Sequence, residues 1–460
     1  MSVDYKHLEE IAESLRQPLI QTLQKWVRVP SVKGEAVKGA PFGQEVRRML
    51  DVALRDCESL GFEVRDIDGY AGDAQMGEGD DVLGILAHLD VVPAGDGWKT
   101  EPFGADLIDG RIYGRGTGDD KGPAVAALYA MLAVKLAGVP LKKRVRLILG
   151  CDEESGMDDM KYYEAHADMP PMGFSPDACF PVINTEKGLY HLLLKGAAAK
   201  EGLKVLEIAA GQRPNVIPGV ASAIVAGDDK TVRQVKEFSA QAGYPITAEV
   251  LPEGKVKITA QGTAGHAAFP EGAKNAIGRL LKALEHLGVQ GPLKGLAQLV
   301  GLEYDGASLG IAVEDKLSGA LTLNLGILHA DENNVDATFD IRYPVMASAE
   351  AILKSISAAV APFGLTVTES RAKEPHHVPE STPLVQSLLD AYHEVTGLPK
   401  KAIAIGGGTY ARCLKQGVAF GAAFPDEEEL AHQAGEYIIV DNLMANVKIF
   451  ARAIVKLAGA

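Results

Sequence analysis

Four polar clusters follow apolar runs in the sequence: His88 and Asp90 in AHLDVVP, Asp119 and Asp120 in GRGTGDDKG, Asp152, Glu153 and Glu154 in GCDEESG, and Asp177 in GFSPDACFP. A fifth candidate, His432, sits in AHQAGE. Imidazole nitrogens and carboxylate oxygens are what zinc takes, at about 2.0 to 2.2 Å, when thiolates are absent. His88, Asp119, Glu154, Asp177 and His432 together exceed what one tetrahedral ion needs. Two ions about 3.5 to 4 Å apart, sharing one carboxylate, would use them all and would clamp a water whose pKa falls to about 7. Each cluster also has a plainer reading. A histidine at a strand end is commonly a hydrogen-bonded core residue, and adjacent acids are commonly solvated surface charge. Acids that follow buried strands are nevertheless costly unless a cation offsets them. Asp90 lies two residues after His88, on the same side of a strand, and can hold the imidazole in one tautomer.

The elements that must position these clusters show in the hydrophobic pattern. Val82 to Ala87 and Val145 to Gly150 are short continuous apolar runs, as expected of strands covered on both faces. Residues 122 to 138 between them read as an Ala/Leu-rich helix, with Pro123 in its first turn and Gly138 at its stop. Strand, helix and strand, with polar residues where the strands end, predict an α/β fold with a mixed, largely parallel sheet flanked by helices. Its site should lie beyond the carboxyl ends of the strands. Residues 4 to 29 read as helix, broken or kinked at Pro18, and 44 to 60 as another. From about residue 190 the texture changes to hairpins: 247 to 252 with 255 to 261 through Pro252-Glu253-Gly254, and 320 to 328 with 335 to 342 through Asp331 to Asn334. Helices at 228 to 242, 274 to 287 and 348 to 361 complete the pattern of an inserted α+β domain over 190–373. Buried-strand texture returns at 402 to 405 and 418 to 424, before a helix at 439 to 457. Residues 1–189 and 374–460 therefore read as two parts of one catalytic domain.

The 460 residues are 47% hydrophobic and 23% charged, the mixture of an ordinary globular protein. A net charge of −15, with no Lys/Arg-rich block, argues against a phosphate-binding face, so no nucleic-acid partner is expected. The start MSVDYKHLEEIAESL is polar and amphipathic, without a signal pattern, and no apolar stretch reaches the length of about 18 residues that spans a membrane. A cytoplasmic location without a membrane partner is expected. Cys57, Cys151, Cys179 and Cys413 lie far apart without CxxC spacing, which indicates neither a zinc knuckle nor a disulfide framework; they read as buried free thiols.

In order, from about residue 80 to residue 436, HLDVVP, GRGTGDDKGP, DEESG, SPDACFP and the C-terminal HQ resemble the zinc-dependent, two-metal peptidase family that includes carboxypeptidase G, aminoacylase and succinyl-diaminopimelate desuccinylase. GFSPDACFPVINTEKG, IGGGTYAR and the overall length are most similar to the PepV-type dipeptidases. The resemblance implies the zinc peptidase fold with an inserted lid domain, and two Zn2+ per chain with Mn2+ or Co2+ as substitutes. It implies that His88, Asp119 and Asp177 hold one ion and Asp119, Glu154 and His432 the other, with a cis peptide after the bridging Asp119. It makes Glu153 the general base that takes a proton from the metal-bridging water and returns it to the leaving amine. Consistent with that division, Glu153 and Glu154 cannot both face one ion from a regular strand. It further implies that His266, in GTAGHAAFP, reaches the substrate from the inserted domain and stabilises the oxyanion. Asn215 in RPNVIP and Arg342 in FDIRYP correspond to substrate-binding positions, and Gly408 and Thr409 in GGGT to a turn that receives a terminal carboxylate through backbone amides. On the residues alone, Arg342 also reads as a surface salt-bridge residue and GGGT as a tight turn. GGGT is not a phosphate loop, because no G-K-[ST] follows.

Family members with Asp rather than Glu at the position of Asp177 are amino- and dipeptidases. The implied activity is therefore hydrolysis of dipeptides with a free N-terminus, with an N-acyl-amino-acid amidohydrolase on the same machinery as the alternative. The long insertion is similar to that of PepV-type chains and implies a monomer, with a homodimer as the alternative. Two places depart from the family pattern: Gly435, where PepV-like proteins carry Asn, and the AAFPEGAKNA surroundings of His266.

Overall fold

A computed structural model describes residues 3–459. The chain divides into two units: one contains the chain up to Asn184, Val378–Ile403 and the chain from Gly408, the other Thr185–His377 and Ala404–Gly407. The first crossing falls inside the strand Val182–Glu186 and a later one inside the strand Ala402–Ile405. Hydrophobic texture does not change within a strand. The expected borders at 190 and 373 accordingly miss the observed ones by a few residues, and the short return at 404–407 leaves no sequence signal.

In the first unit the sheet runs in the order Glu63–Ile67, Ala71–Met76, Arg144–Gly150, Val82–His88, Met172–Ser175, Gln416–Ala419 and Val182–Glu186. The four from Arg144–Gly150 to Gln416–Ala419 are parallel to one another, and antiparallel strands flank them. This is the mixed, largely parallel sheet that the apolar runs predict. Val82–His88 is buried at every position, as a strand covered on both faces must be. The helix Lys121–Leu136 is buried from Lys121 to Val134 and packs against Val440–Ala458. Being apolar all round, it belongs inside. Phe174, Phe180, Phe420 and Phe450 interlock in the same core, Phe420 meeting Phe174 and Phe180 edge-on at 5.5 and 5.2 Å. Each such ring contributes about 1.5 to 3 kcal/mol on burial.

Pro18 does break the first helix, into Tyr5–Ser14 and Arg16–Val27. A proline ring collides with the carbonyl four residues back, here that of Ser14, whereas in a first turn its missing N–H costs nothing. The second helix therefore begins just before Pro18.

In the second unit eight strands form an antiparallel sheet in the order Ile246–Leu251, Lys255–Gln261, Val220–Ala226, Val205–Ala210, Thr322–Asp331, Asn334–Tyr343, Gly188–Ala197 and Leu365–Lys373. Helices Asp229–Ala242, Ala276–His286 and Ala349–Val360 pack on it. The hairpin expected to turn through Asp331 to Asn334 is tighter than that: Asp331 Oδ1 accepts the backbone N–H of Asn333 and Asn334 at 2.6 and 2.7 Å, so both residues 331 and 334 belong to strands. Periodicity does not mark Val205–Ala210 or Val220–Ala226, because alanine supplies much of their inward face and carries little strand signal.

Among the described residues no disulfide joins the cysteines. Cys57 and Cys151 are buried as expected, but Cys179 and Cys413 are only half-buried. Among the described residues no helix is long and apolar enough to cross a membrane.

Candidate metal centre

His88 is the last residue of the central strand Val82–His88. Asp119 precedes the helix Lys121–Leu136, and the Asp119–Asp120 peptide is cis. Glu153 and Glu154 follow Arg144–Gly150, and Asp177 follows Met172–Ser175. These three strands are parallel, and their carboxyl ends are where an open α/β sheet places its site. Glu153 and Glu154 lie in a turn beyond the strand rather than on it, so the turn, not strand alternation, separates their side chains. His432 comes from the loop before Tyr437–Ile439, with φ of 65°, a left-handed backbone uncommon for a residue other than glycine. Gly435 also has a positive φ, 85°, and open space around its Cβ position. Glycine and asparagine both tolerate that region, which accounts for Gly standing where an Asn was expected.

The side chains converge on Asp119. Its Oδ1 lies 2.9 Å from His88 Nε2 and its Oδ2 3.1 Å from His432 Nε2, so one carboxylate faces two imidazoles with different oxygens. His432 Nε2 is also 3.0 Å from Glu154 Oε2, and His88 Nε2 is 3.8 Å from Asp177 Oδ2. Donor atoms of His88, Asp119 and Glu154, and again of His88, Glu153 and Asp177, all lie within 4.8 Å of one another. Ligands bound at about 2.0 to 2.2 Å in a tetrahedral shell stand about 3.3 to 3.6 Å apart, so this donor set is of the right size for metal ions.

Charge gives the same answer. Asp119, Asp120, Glu153, Glu154 and Asp177 gather around two imidazoles. Burial pushes Glu153 up to about 8, against the pull of His88 and with the help of Glu154 and Asp119. Burial and the negative neighbour Asp119 raise Glu154 and Asp177 as well. For Asp119 burial works upward too, but hydrogen bonds with His432 and His88 outweigh it and hold the carboxyl low. His432 is raised to about 10 by its bonds to Asp119 and Glu154. Carboxylates crowded in this way are costly unless cations compensate them, and the residues present fit divalent metal ions.

The Nδ1 of His88 is 2.9 Å from the backbone carbonyl of Asp90 and 3.6 Å from its carboxylate, the carbonyl making the closer contact. The Asp90 carboxylate also accepts the backbone N–H of Glu153 and of Glu154, each at 3.2 Å, and holds the turn that carries them.

Of the remaining candidates, Gly408 and Thr409 are in the same unit. Thr409 Oγ1 caps the short 3-10 helix Tyr410–Cys413 through Ala411 N–H at 3.1 Å, and the Tyr410 ring stands edge-on to His88 at 6.3 Å. Asn215, His266 and Arg342 belong to the second unit. His266 is exposed on Gly265–His266, which pairs with Val216–Ile217, and the carbonyl of Asn215 accepts Ala267 N–H at 2.9 Å, so these two are neighbours. Arg342 is buried, not a surface residue. Its guanidinium grips Asp340 at 2.6 and 2.9 Å and the Gly406 carbonyl at 2.8 Å.

Two buried carboxylates escape the motif reading. Asp159 Oδ2 accepts the backbone N–H of Cys151 and Asp152 at 2.6 and 2.9 Å and the Tyr410 hydroxyl, bracing the chain just before Glu153. Glu436 does the same for the chain before Asp119. Spacing could have drawn attention to both, since Asp159 follows DEESG by three residues and Glu436 closes HQAGE.

Residues 84–456 match the model of peptidase family M20/M25/M40. The Bacillus subtilis (strain 168) protein YtjP is 39% identical over 456 residues, covering 96% of this chain and 98% of its own. The Beta-Ala-Xaa dipeptidase of Lactobacillus delbrueckii subsp. lactis is 34% identical over 467 residues, covering 98% of each. The crystal structure of human carnosine dipeptidase 1 superposes with a TM-score of 0.61 at 16% identity over 98% of each chain, a likeness of fold.

Proposed function

The chain belongs to peptidase family M20/M25/M40, and on that premise we propose that it is a two-cation dipeptidase acting on dipeptides with a free N-terminus. The observation that carries the proposal is Asp119, whose two oxygens face His88 and His432 separately. His88, Asp119 and Asp177 would hold one divalent cation and Asp119, Glu154 and His432 the other, with Zn2+ as the natural occupant and Mn2+ or Co2+ as substitutes. When bound, such ions supply Lewis acidity toward the scissile carbonyl and acidify water.

The protein's own groups do the rest. Glu153 takes a proton from the attacking water as its oxygen bonds to the carbonyl carbon. It returns that proton to the nitrogen as the C–N bond breaks, so the amine leaves neutral. A carboxyl raised toward neutrality by burial is suited to both transfers. Asp90 fixes the turn from which Glu153 reaches. In this reading the Gly408–Thr409 turn, in the same unit as the metal centre, receives the carboxylate of the substrate.

Full-length likeness to a β-Ala-Xaa dipeptidase supports dipeptides over N-acyl amino acids. A panel of Ala-Ala-type dipeptides, β-alanyl dipeptides and N-acetyl amino acids, assayed with Zn2+ and with Mn2+, tests the choice. Turnover is expected for the free-amino dipeptides only. Cleavage of the N-acetyl compounds with the dipeptides left intact would assign an amidohydrolase instead.

A further inference from the structure

Glu436 stands four residues after His432 and, like Arg115, is 1% exposed. Its Oε1 accepts three backbone N–H groups, those of Gly116 at 3.0 Å, Gly118 at 2.9 Å and Asp119 at 3.3 Å. Its Oε2 accepts Arg115 Nη1 at 2.5 Å, and its backbone carbonyl accepts Gly114 N–H at 2.9 Å. Arg115 is itself held in place: Nη2 donates to the Ala94 carbonyl at 3.2 Å, and the guanidinium lies over Trp98, 5.4 Å from the ring centroid. Residues 114–119 are thus folded around a single carboxylate, and the loop they form ends at Asp119.

Stability alone is a weak reason for such an arrangement. A buried ion pair can often be exchanged for apolar residues of similar volume at no cost or with a gain. What apolar residues cannot do is accept the three amides of Gly116, Gly118 and Asp119. The turn from His432 to Gly435, with its left-handed residues at both ends, also finishes on Glu436, so the same residue anchors the segment that carries the facing histidine.

We propose that Glu436 is a positioning residue for the metal centre: with Arg115 as its counter-charge, it holds Asp119 and His432 in register so that Asp119 Oδ2 and His432 Nε2 stay 3.1 Å apart. The proposal rests on the reading of Asp119 and His432 as ligands. Residues that orient metal ligands typically contribute 10- to 100-fold to metal affinity.

The test is a zinc titration of metal-free protein in competition with a chromogenic chelator, on wild type, Glu436→Gln, Arg115→Lys and His432→Ala. A glutamine presents an N–H to Arg115, which has only donors to offer. Glu436→Gln is expected to weaken the weaker of the two zinc affinities about 10- to 100-fold while its circular dichroism stays that of wild type. Arg115→Lys, which leaves the three amide bonds in place, is expected to show a smaller loss in the same affinity, and it carries the test if Glu436→Gln does not fold. Wild-type zinc affinities in either variant, with only the unfolding midpoint lowered, would make Glu436 a structural residue and overturn the proposal. His432→Ala is the separate control. It should bind one ion fewer than wild type; equal binding would show that the ligand reading had failed, whatever Glu436 does.

Discussion

Glu153→Ala is expected to lose about 10²- to 10⁴-fold in kcat, the usual contribution of a positioned general acid–base, and to keep its full metal content. The second half of that expectation matters as much as the first. Glu153 shares a donor cluster with His88 and Asp177, so its carboxylate is close enough to be taken for a ligand. What suits it to proton transfer is its setting, in which burial raises it to about 8. A group in that state gives and takes a proton readily near neutral pH. Glu153→Gln, which keeps the shape but cannot carry the proton, should match the alanine variant. Zinc analysis alongside steady-state kinetics checks the assignment, and the loss of an ion together with activity would make Glu153 a ligand.

For Asp119→Ala the expected loss is at least comparable, and it differs in kind. Because one carboxylate serves both imidazoles, its removal should release both ions, whereas Asp177→Ala or His432→Ala should release one. Metal ions contribute several kcal/mol of transition-state stabilisation. At about 1.4 kcal/mol per tenfold, the loss is at least about 10³-fold, and excess Zn2+ should not restore it. Metal content per chain, measured after gel filtration, reads this directly. An Asp119→Ala protein that still carried two ions would show that the residue is not shared.

The chemistry was more legible than the geometry. His88, Glu153 and Glu154 can be picked out because they sit just beyond apolar runs, and a buried parallel strand has to be an apolar run; Asp119, Asp177 and His432 stand out through their motifs. The same rule located the strands Val82–His88 and Arg144–Gly150 almost to the residue. Long-range partnership was not legible. Nothing in the order of residues says that Glu436 will accept the amides of Gly116, Gly118 and Asp119, or that the GGGT turn will divide so that Gly406 belongs with Arg342 and Gly408 with Tyr410. Asp90 illustrates the boundary. Its place two residues after His88 predicted a partner for the imidazole; the backbone carbonyl makes the closer contact, and the carboxylate, 3.6 Å from the ring, also holds the Glu153–Glu154 turn. Arg342 read as a surface residue because arginine usually is one. Its burial depends on Asp340, two residues away on the same strand. In the second unit, alternation is diluted by alanine and glycine, and strands such as Val220–Ala226 become visible only through their pairing.

Stepwise addition of Zn2+ to metal-free wild-type protein, with hydrolysis of an Ala-Ala-type dipeptide followed at each step, tests most directly whether a shared-carboxylate, two-ion centre performs the reaction. Activity should be absent without metal and should reach its plateau at two equivalents per chain. Full activity in the metal-free protein, or a plateau at one equivalent, would contradict it.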